Sequence, residues 1–219
     1  MIIEEFLIAE LNLKYYIGIS QVKIDIKTYS LKNLFDLIED LENEYKDVSI
    51  QIFNDMHVLN RNHIYSAVFF TQKAFYYDSN ISKNKKIEIL LYLATTRQIK
   101  EAIEHFGINE IIFESEKVNF CVISHKNNIT EIYRKIKDTL EFKELKFELD
   151  NQSIDKINRI KVFYRFNDSQ IEVVINSYES SEKEKKSVHL DYLYLALQDL
   201  ICEKMSVLSL EKIKFDRNF

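Results

Sequence analysis

Glycine, proline and tryptophan are scarce in this chain of 219 residues, which has 2 glycines, no proline and no tryptophan. The phosphate-cradling loops of GxGxxG and P-loop proteins need several glycines, because only a residue without a Cβ lets the backbone approach the ligand closely enough. The nucleotide-binding enzymes of those classes are therefore excluded.

Long apolar runs and cysteine pairs are also missing. No run approaches the roughly 18 to 20 residues that cross a bilayer, and the first ten residues carry Glu4 and Glu5 where a signal peptide has positive charge. Cys121 and Cys202 have 80 residues between them and form no CxxC motif, as is typical of reduced core thiols. We therefore expect a cytoplasmic protein with no membrane attachment, no metal and no cofactor.

What is present is the composition of a folded protein, since 46% of the residues are hydrophobic and 30% are charged. Apolar residues alternate in some segments, which predicts strands, and recur at helical spacing in others, which predicts helices. The order of these segments predicts an α+β fold with a mixed central sheet flanked by helices. We expect a single domain over residues 1–219, with a small C-terminal elaboration after about residue 168.

Local signals place most of the elements. The predicted strands are two segments that meet near Asn12, then 48–53, 117–124 and a possible strand at 143–149. The predicted helices are 31–44, 62–77, 87–94, about 96–106, 129–140 and 190–205. The predicted end signals are N-terminal caps at Ser30, Ser82 and Asn128 (with Glu131), and a left-handed C-terminal cap at Gly107. The pattern of residues 154–166 fits either a helix or a strand, and that of residues 170–178 suggests a strand.

Positive charge is concentrated in one part of an acidic chain. The window from Arg61 to Lys100 contains seven basic and two acidic residues, a net charge of +5, whereas the rest of the chain has a net charge of −10. A basic region of this kind indicates a local anion-attracting surface, because general basicity would instead predict adhesion over the whole molecule.

Three of these cations stand at a position that is unfavourable for stability. Lys83, Lys85 and Lys86 crowd the start of a predicted helix, where positive charge opposes the helix macrodipole at a cost of roughly 0.3 kcal/mol or more each. Tyr76 and Tyr77 come shortly before them. Cations beside aromatic rings suit single-stranded nucleic acid, since the cations pair with phosphates while unstacked bases lie on the rings. The alternative is a solvated charge cluster with buried aromatic residues.

The last predicted helix has an unusually wide apolar face. Core packing is its default role, although a helix this apolar could also present part of its face to a partner. The residues of the stripe are Leu193, Leu197, Leu200, Ile201 and Met205.

Catalytic patterns are not evident. No two of the five histidines have the i, i+4 spacing of a helical zinc site, and no serine or cysteine stands in a recognisable nucleophile motif. We therefore expect no enzyme and no catalytic residues. A small-molecule enzyme would require a deep pocket in which Asp55, His57 and His63 converge.

The motifs EILLYLA at 88–94, TRQI at 96–99 and AIxxFGI at 102–108 follow one another within residues 63–108. This stretch resembles the characteristic stretch of the TPRKB family, the KEOPS subunit of archaea and eukaryotes that binds the small Rio-like kinase of that complex. ALQDLICEKMSVLSL at 196–210 resembles the closing helix of the family. Residues 170–191 depart from the family pattern and suggest an insertion before a closing helix at 192–209. The features shared with the family in the first stretch are a His and an Ala opening a helix (His63, Ala67), Lys73 to Phe75, SKN at 82–84, EILLYLA at 88–94, TRQI at 96–99 and AIxxFGI at 102–108.

The resemblance implies a non-catalytic, regulatory role. KEOPS makes the threonylcarbamoyl modification on the adenosine beside the anticodon of certain tRNAs, and its chemistry and ATP hydrolysis belong to other subunits. Members of this family dock directly on the kinase, stimulate it, meet the other subunits only indirectly, and in archaea bind the single-stranded 3′ CCA end of tRNA. An acidic chain with one basic and aromatic region suits such an RNA tail better than a duplex.

Two hypotheses follow from the residues and the resemblance together. The first is a tRNA-binding and kinase-regulating subunit; the second is a protein adaptor of the kinase in which the lysines only maintain solubility. The predicted tRNA-binding residues are Arg61, Lys73, Lys83, Lys85, Lys86 and Arg97 for phosphates, with Asn84, Tyr76 and Tyr77 for the terminal bases. The predicted kinase-binding residues are Leu193, Leu197, Ile201 and Met205, with a further contribution considered for 87–93.

Overall fold

A computed structural model describes residues 1–178 and 190–210. Its strands are β1 (Ile2–Ile8), β2 (Leu13–Lys23), β3 (Val48–Phe53), β4 (Lys117–Ser124) and β5 (Lys143–Glu144). Its helices are α1 (Leu31–Glu44), α2 (Arg61–Tyr76), α3 (Lys85–Ala94), α4 (Ile99–Phe106), α5 (Glu110–Phe113), α6 (Ile129–Leu140), α7 (Ile154–Tyr164), α8 (Asp168–Tyr178) and α9 (Leu190–Leu210). The predicted α+β class is confirmed.

The chain divides into two compact units. Unit 1 is formed by Met1–Asp55 and Ile103–Glu148, and unit 2 by Met56–Ala102 and Leu149–Phe219. Unit 1 holds all the strands of the described residues, and unit 2 is helical there. The boundaries of the insertion predicted at 170–191 stay a prediction, and residues 179–189 lie outside the described residues.

Unit 1 is built on a sheet with the strand order β1-β2-β4-β3. The short strand β5 also pairs with β2, at Val22 and Lys23, past the part of β2 that pairs with β1. Every pairing among the described residues is antiparallel, with Ile19 opposite Cys121 and Ile50 opposite Val122. The expectation of a mixed sheet was therefore wrong: each strand runs opposite to its neighbours in space. The strand predicted near 143–149 is reduced to the two residues of β5.

Helices α1 and α6 contribute the apolar layer that packs with this sheet. Leu34 and Ile38 of α1 belong to the same buried cluster as Ile132 of α6 and Val122 of β4. Gly18 allows this close packing, because a Cβ at its position would lie 2.5 Å from Ile129 Cγ2. A side chain on the strand at this point would have to displace α6.

The helix ends agree with the sequence in part. Ser30 caps α1 in a capping box with Asn33, as predicted. The cap of α3 is Asn84 rather than Ser82, because the Asn84 side chain accepts the Lys86 N–H at 2.9 Å. The Asn128 side chain accepts the Ser124 hydroxyl at 2.6 Å and does not cap α6. Gly107 has no left-handed conformation.

Unit 2 is a packing of helices around α9. Helix α9 contacts α2, α3, α7 and α8, and α2 also packs on α3. Residues 154–164 form a helix, which settles the ambiguity of that segment. Residues 170–178 also belong to a helix rather than a strand, because Ile171 and Ile175 are buried at i, i+4 spacing. The predicted final helix is confirmed as α9.

Candidate nucleic-acid interface

The two units carry opposite net charge. Unit 1 has 12 basic and 20 acidic residues, a net charge of −8, whereas unit 2 has 18 basic and 15 acidic residues, a net charge of +3. The basic window found in the sequence lies wholly within unit 2. An anionic ligand is therefore attracted to unit 2 and repelled by unit 1.

The C-terminal end of α2 forms an aromatic ridge, which we define as Phe69, Tyr76 and Tyr77. Tyr76 and Tyr77 are 56% and 57% exposed, and their rings meet edge to face with centroids 5.2 Å apart. The Lys73 ammonium lies 5.3 Å from the centre of the Phe69 ring. This arrangement offers exposed ring faces beside a cation, which is the combination that binds unpaired bases and their phosphates.

A groove of about 480 Å³ opens beside this ridge. Its volume lies in the range of small-molecule sites, and its walls combine carbon surface with hydroxyl groups and one cation. Of the predicted tRNA-binding residues, Lys73 and Tyr77 line it. Among the described residues, the lining consists of Phe70, Lys73, Ala74, Tyr77, Ser79, Ser206 and Leu210.

The loop between α2 and α3 is held by its own side chains. Ser79 N–H donates to Ala74 O at 2.8 Å, which closes the end of α2, and Asp78 adopts a left-handed conformation with φ 52°. Asn80 Nδ2 donates to Ser82 O at 2.9 Å, and Ser82 Oγ accepts Asn84 N–H at 3.1 Å. This bonding fixes the backbone that carries Lys83 and Asn84, whose side chains are exposed.

The lysines at the start of α3 differ in their surroundings. Lys83 is exposed, while Lys85 and Lys86 are partly buried. Lys85 Nζ lies 5.4 Å from the centre of the Phe75 ring and donates to Gln72 Oε1 at 3.4 Å, so this side chain turns back onto α2. Burial lowers the pKa of the Lys85 ammonium from its usual value. Lys83, which is exposed, is therefore the best placed of the three to meet a phosphate.

The two predicted arginines are engaged elsewhere. Arg61 Nε pairs with Asp150 Oδ2 at 3.0 Å, and the same carboxylate accepts Arg61 N–H at 3.0 Å, so the charge of Arg61 is offset by an acid. Arg97 Nη1 donates to Leu208 O at 3.3 Å near the end of α9. These partners lie 89 and 111 residues away in the sequence, so no local pattern could have revealed them.

The predicted kinase-docking stripe of α9 is core. Leu197, Ile201 and Met205 are 0% exposed and Leu193 is partly buried, and the segment 87–93 that was considered with them is also mostly buried. The stripe is covered because α9 is surrounded by four helices of unit 2, and its most apolar face fills their shared interior. The prediction of a docking face at these side chains is therefore corrected. The exposed apolar side chains of α9 are Tyr192, Leu195, Val207 and Leu210.

The residues considered for small-molecule catalysis have structural partners. Asp55 of unit 1 accepts Lys117 Nζ at 2.7 Å and Gln21 Nε2 at 3.1 Å. The His57 ring of unit 2 stacks on Phe163 with centroids 4.1 Å apart. No group of three or more metal-ligating side chains comes together among the described residues.

His63 is a buried node of unit 2. Its Nδ1 accepts Leu59 N–H at 3.2 Å, which leaves the proton on Nε2, 3.2 Å from Leu93 O. The Tyr164 hydroxyl donates to the same carbonyl at 2.5 Å, so α2, α3 and α7 meet at this point. Burial, aided by the charge of Lys156, lowers the pKa of His63 to about 3. The imidazole is therefore neutral at ordinary pH.

Acid is expected to weaken the fold through His63. An unfolded histidine binds its proton below about pH 6.5, whereas the folded chain binds it only near pH 3, so the stabilisation is complete above pH 6.5 and is lost as pH falls. We expect this residue to lower the free energy of unfolding by about 2 kcal/mol between pH 7 and pH 5. Urea unfolding of wild type and His63→Gln at pH 7 and pH 5 measures this change in the free energy of unfolding. An equal pH dependence in the two proteins contradicts the assignment.

Comparison with known protein families identifies a match that covers most of the chain. The family model described as "Kinase binding protein CGI-121" matches residues 29–208, which include all of α1 and most of α9. No curated protein matches the chain. Within the described part of the chain, no helix combines the length and the apolar character that a membrane span needs.

Proposed function

The chain belongs to the CGI-121 family of kinase-binding proteins, and we propose that it joins kinase binding to recognition of the single-stranded 3′ CCA end of tRNA. In this proposal it is a non-catalytic, cytoplasmic subunit of KEOPS. It docks on the Rio-like kinase, stimulates its ATPase activity and so supports threonylcarbamoyladenosine modification of tRNA. Other KEOPS subunits meet it only through the kinase.

The observation that carries the RNA part is the exposure of side chains on the aromatic ridge and on the loop before α3, which follow each other in the chain. Lys83 and Asn84 are exposed on this loop, and Tyr76 and Tyr77 are exposed just before it in the chain. The unit that bears them has a net charge of +3, although the whole chain has −5. A short single strand needs only a few phosphate contacts and a few ring faces, and this surface offers both.

The groove beside the ridge suits the terminal nucleoside. An unpaired base that enters the groove contacts apolar lining such as the Tyr77 ring and Leu210 and is removed from water, while Lys73 of the same lining meets the preceding phosphate. A base inside a duplex cannot enter such a groove without being unpaired and unstacked. This requirement favours the free 3′ end of the RNA over its stems.

The kinase part rests on family membership. Because Leu197, Ile201 and Met205 are buried, the contact has to use exposed side chains. The alternative function is a protein adaptor of the kinase that binds no RNA. Exposed apolar residues on α9 such as Leu195 and Val207 favour a protein contact of this kind, and both functions are compatible in one chain.

A gel-shift titration with intact tRNA and with tRNA lacking its 3′ CCA tests the RNA part, at 50 mM and 200 mM salt. We expect the intact tRNA to bind at least roughly tenfold more tightly than the trimmed one, and both affinities to fall as salt rises. A duplex RNA without single-stranded ends is the control. Equal binding of all three RNAs, or no binding, leaves only the adaptor function.

A further inference from the structure

Glu88 is a fully buried acid in the first turn of α3, and it contacts the backbone of the loop that carries Lys83 and Asn84. It is 0% exposed, and its carboxylate accepts backbone N–H groups of that loop. Ser82 N–H donates to Oε2 at 2.7 Å, and Ile81 N–H lies 3.0 Å from both oxygens. A buried carboxylate is costly unless such donors satisfy it, so the loop and the acid depend on each other.

The position of Glu88 also accounts for the crowding of lysines at the start of α3. Three cations near a helix N-terminus oppose its macrodipole, and a carboxylate close to the same end offsets them. Glu88 and Asp78 are the two acids of the window from Arg61 to Lys100, and Glu88 is the one whose carboxylate is buried against the loop. The loop can therefore carry exposed cations without losing its conformation.

We propose that Glu88 is the positioning residue of the RNA-binding loop, holding Ile81 and Ser82 so that Lys83, Asn84 and Lys86 face the ligand in a fixed arrangement. This inference rests on the proposed function. Glu88 itself touches no RNA, because it is buried. It acts through the backbone of the loop and lowers the cost of ordering the lysines when RNA binds.

Removing the charge of Glu88 is expected to change the affinity for tRNA in opposite directions, depending on whether Glu88 positions the loop or acts only as a negative charge near the RNA. Glu88→Gln keeps the size of the side chain and one acceptor oxygen, but it removes the charge and puts a donating NH2 group where Oε1 accepts the Ile81 N–H, which weakens the hold on the loop. If Glu88 acted only as a negative charge near RNA, its loss would tighten binding. If it positions the loop, we expect intact tRNA to bind roughly five- to tenfold more weakly, because the lysines of a loosened loop then have to be ordered when RNA binds.

Limited trypsin digestion in the absence of RNA measures how well the loop is ordered. Cleavage after Lys83, Lys85 and Lys86 should be at least roughly fivefold faster in Glu88→Gln than in wild type when both are folded. In a Lys83→Ala/Lys86→Ala background, Glu88→Gln should have little further effect on tRNA affinity, because the groups it positions are gone. If Glu88 had a purely structural role, Glu88→Gln would weaken tRNA binding by the same factor in wild type and in the double-alanine background.

Asn80→Ala is the second variant, because it removes the Asn80–Ser82 bond of the same loop and leaves the buried carboxylate in place. We expect faster cleavage and weaker tRNA binding in this variant too. Faster cleavage with unchanged or tighter tRNA binding in either variant overturns the positioning role, and unchanged cleavage in Glu88→Gln overturns the link between Glu88 and the loop. If wild type binds intact and trimmed tRNA equally, the proposed function fails, while the digestion still reports on the loop.

Discussion

Replacing Lys83 and Lys86 by glutamate is expected to weaken the binding of intact tRNA by roughly 100-fold at 50 mM salt, because two phosphate contacts are lost and two repulsions appear. Lys85 is left in place, since its ammonium turns inward toward Phe75 and Gln72 and a glutamate there would disturb packing. The salt dependence of the remaining binding should also become less steep. Fluorescence anisotropy with labelled tRNA measures both quantities.

A matched variant separates the effect of the loop before α3 from the effect of the overall charge of the protein. Lys27 and Lys32 are exposed lysines of unit 1, and changing both to glutamate alters the net charge by the same amount. We expect this control to change tRNA affinity less than about threefold, the effect of a weak long-range repulsion under screening. An equal loss in the two variants would show that overall charge, and not the loop before α3, determines binding.

Leu197→Glu is expected to unfold unit 2. The side chain is 0% exposed, so the variant buries an ionised carboxylate among apolar residues at a cost of several kcal/mol, comparable to the whole stability of a domain. We expect the free energy of unfolding to fall by at least about 4 kcal/mol. Circular dichroism and urea titration of the full chain measure this loss.

Leu195→Glu is the control on the same helix, two residues earlier and 54% exposed. We expect it to change the free energy of unfolding by no more than about 0.5 kcal/mol. Pull-down with the kinase adds a second reading: if Leu195→Glu folds but loses the kinase, the contact uses the exposed side of α9. A folded Leu197→Glu that loses only the kinase would restore the original docking stripe and contradict its burial.

Much of the fold could be predicted because local patterns and packing agree. The predicted bounds of α1, β3 and β4 match the structure, since each has an uninterrupted period and α1 begins at a strong cap, Ser30. Helix α8 shows the limit of this reasoning. Val173, Val174 and Ile175 are β-branched and suggest a strand, yet contact with α9 selects the helix that buries Ile171 and Ile175.

The candidate site was predictable where it depends on nearby residues. Tyr76, Tyr77 and Lys83 are exposed as a basic and aromatic surface requires. The pairing of Arg61 with Asp150 could not be predicted, because it depends on how distant segments pack. Glu88 left one signal in the sequence: an acid at the head of the apolar run EILLYLA, in a window that is otherwise basic.

We expect the loop before α3 and the aromatic ridge of unit 2 to bind the 3′ end of tRNA. Hydrogen–deuterium exchange of the full chain, with intact tRNA and with tRNA lacking CCA, tests it most directly. We predict that intact tRNA slows exchange in residues 73–86 and that trimmed tRNA does not. Slowing confined to unit 1, or equal slowing by both RNAs, would contradict the account.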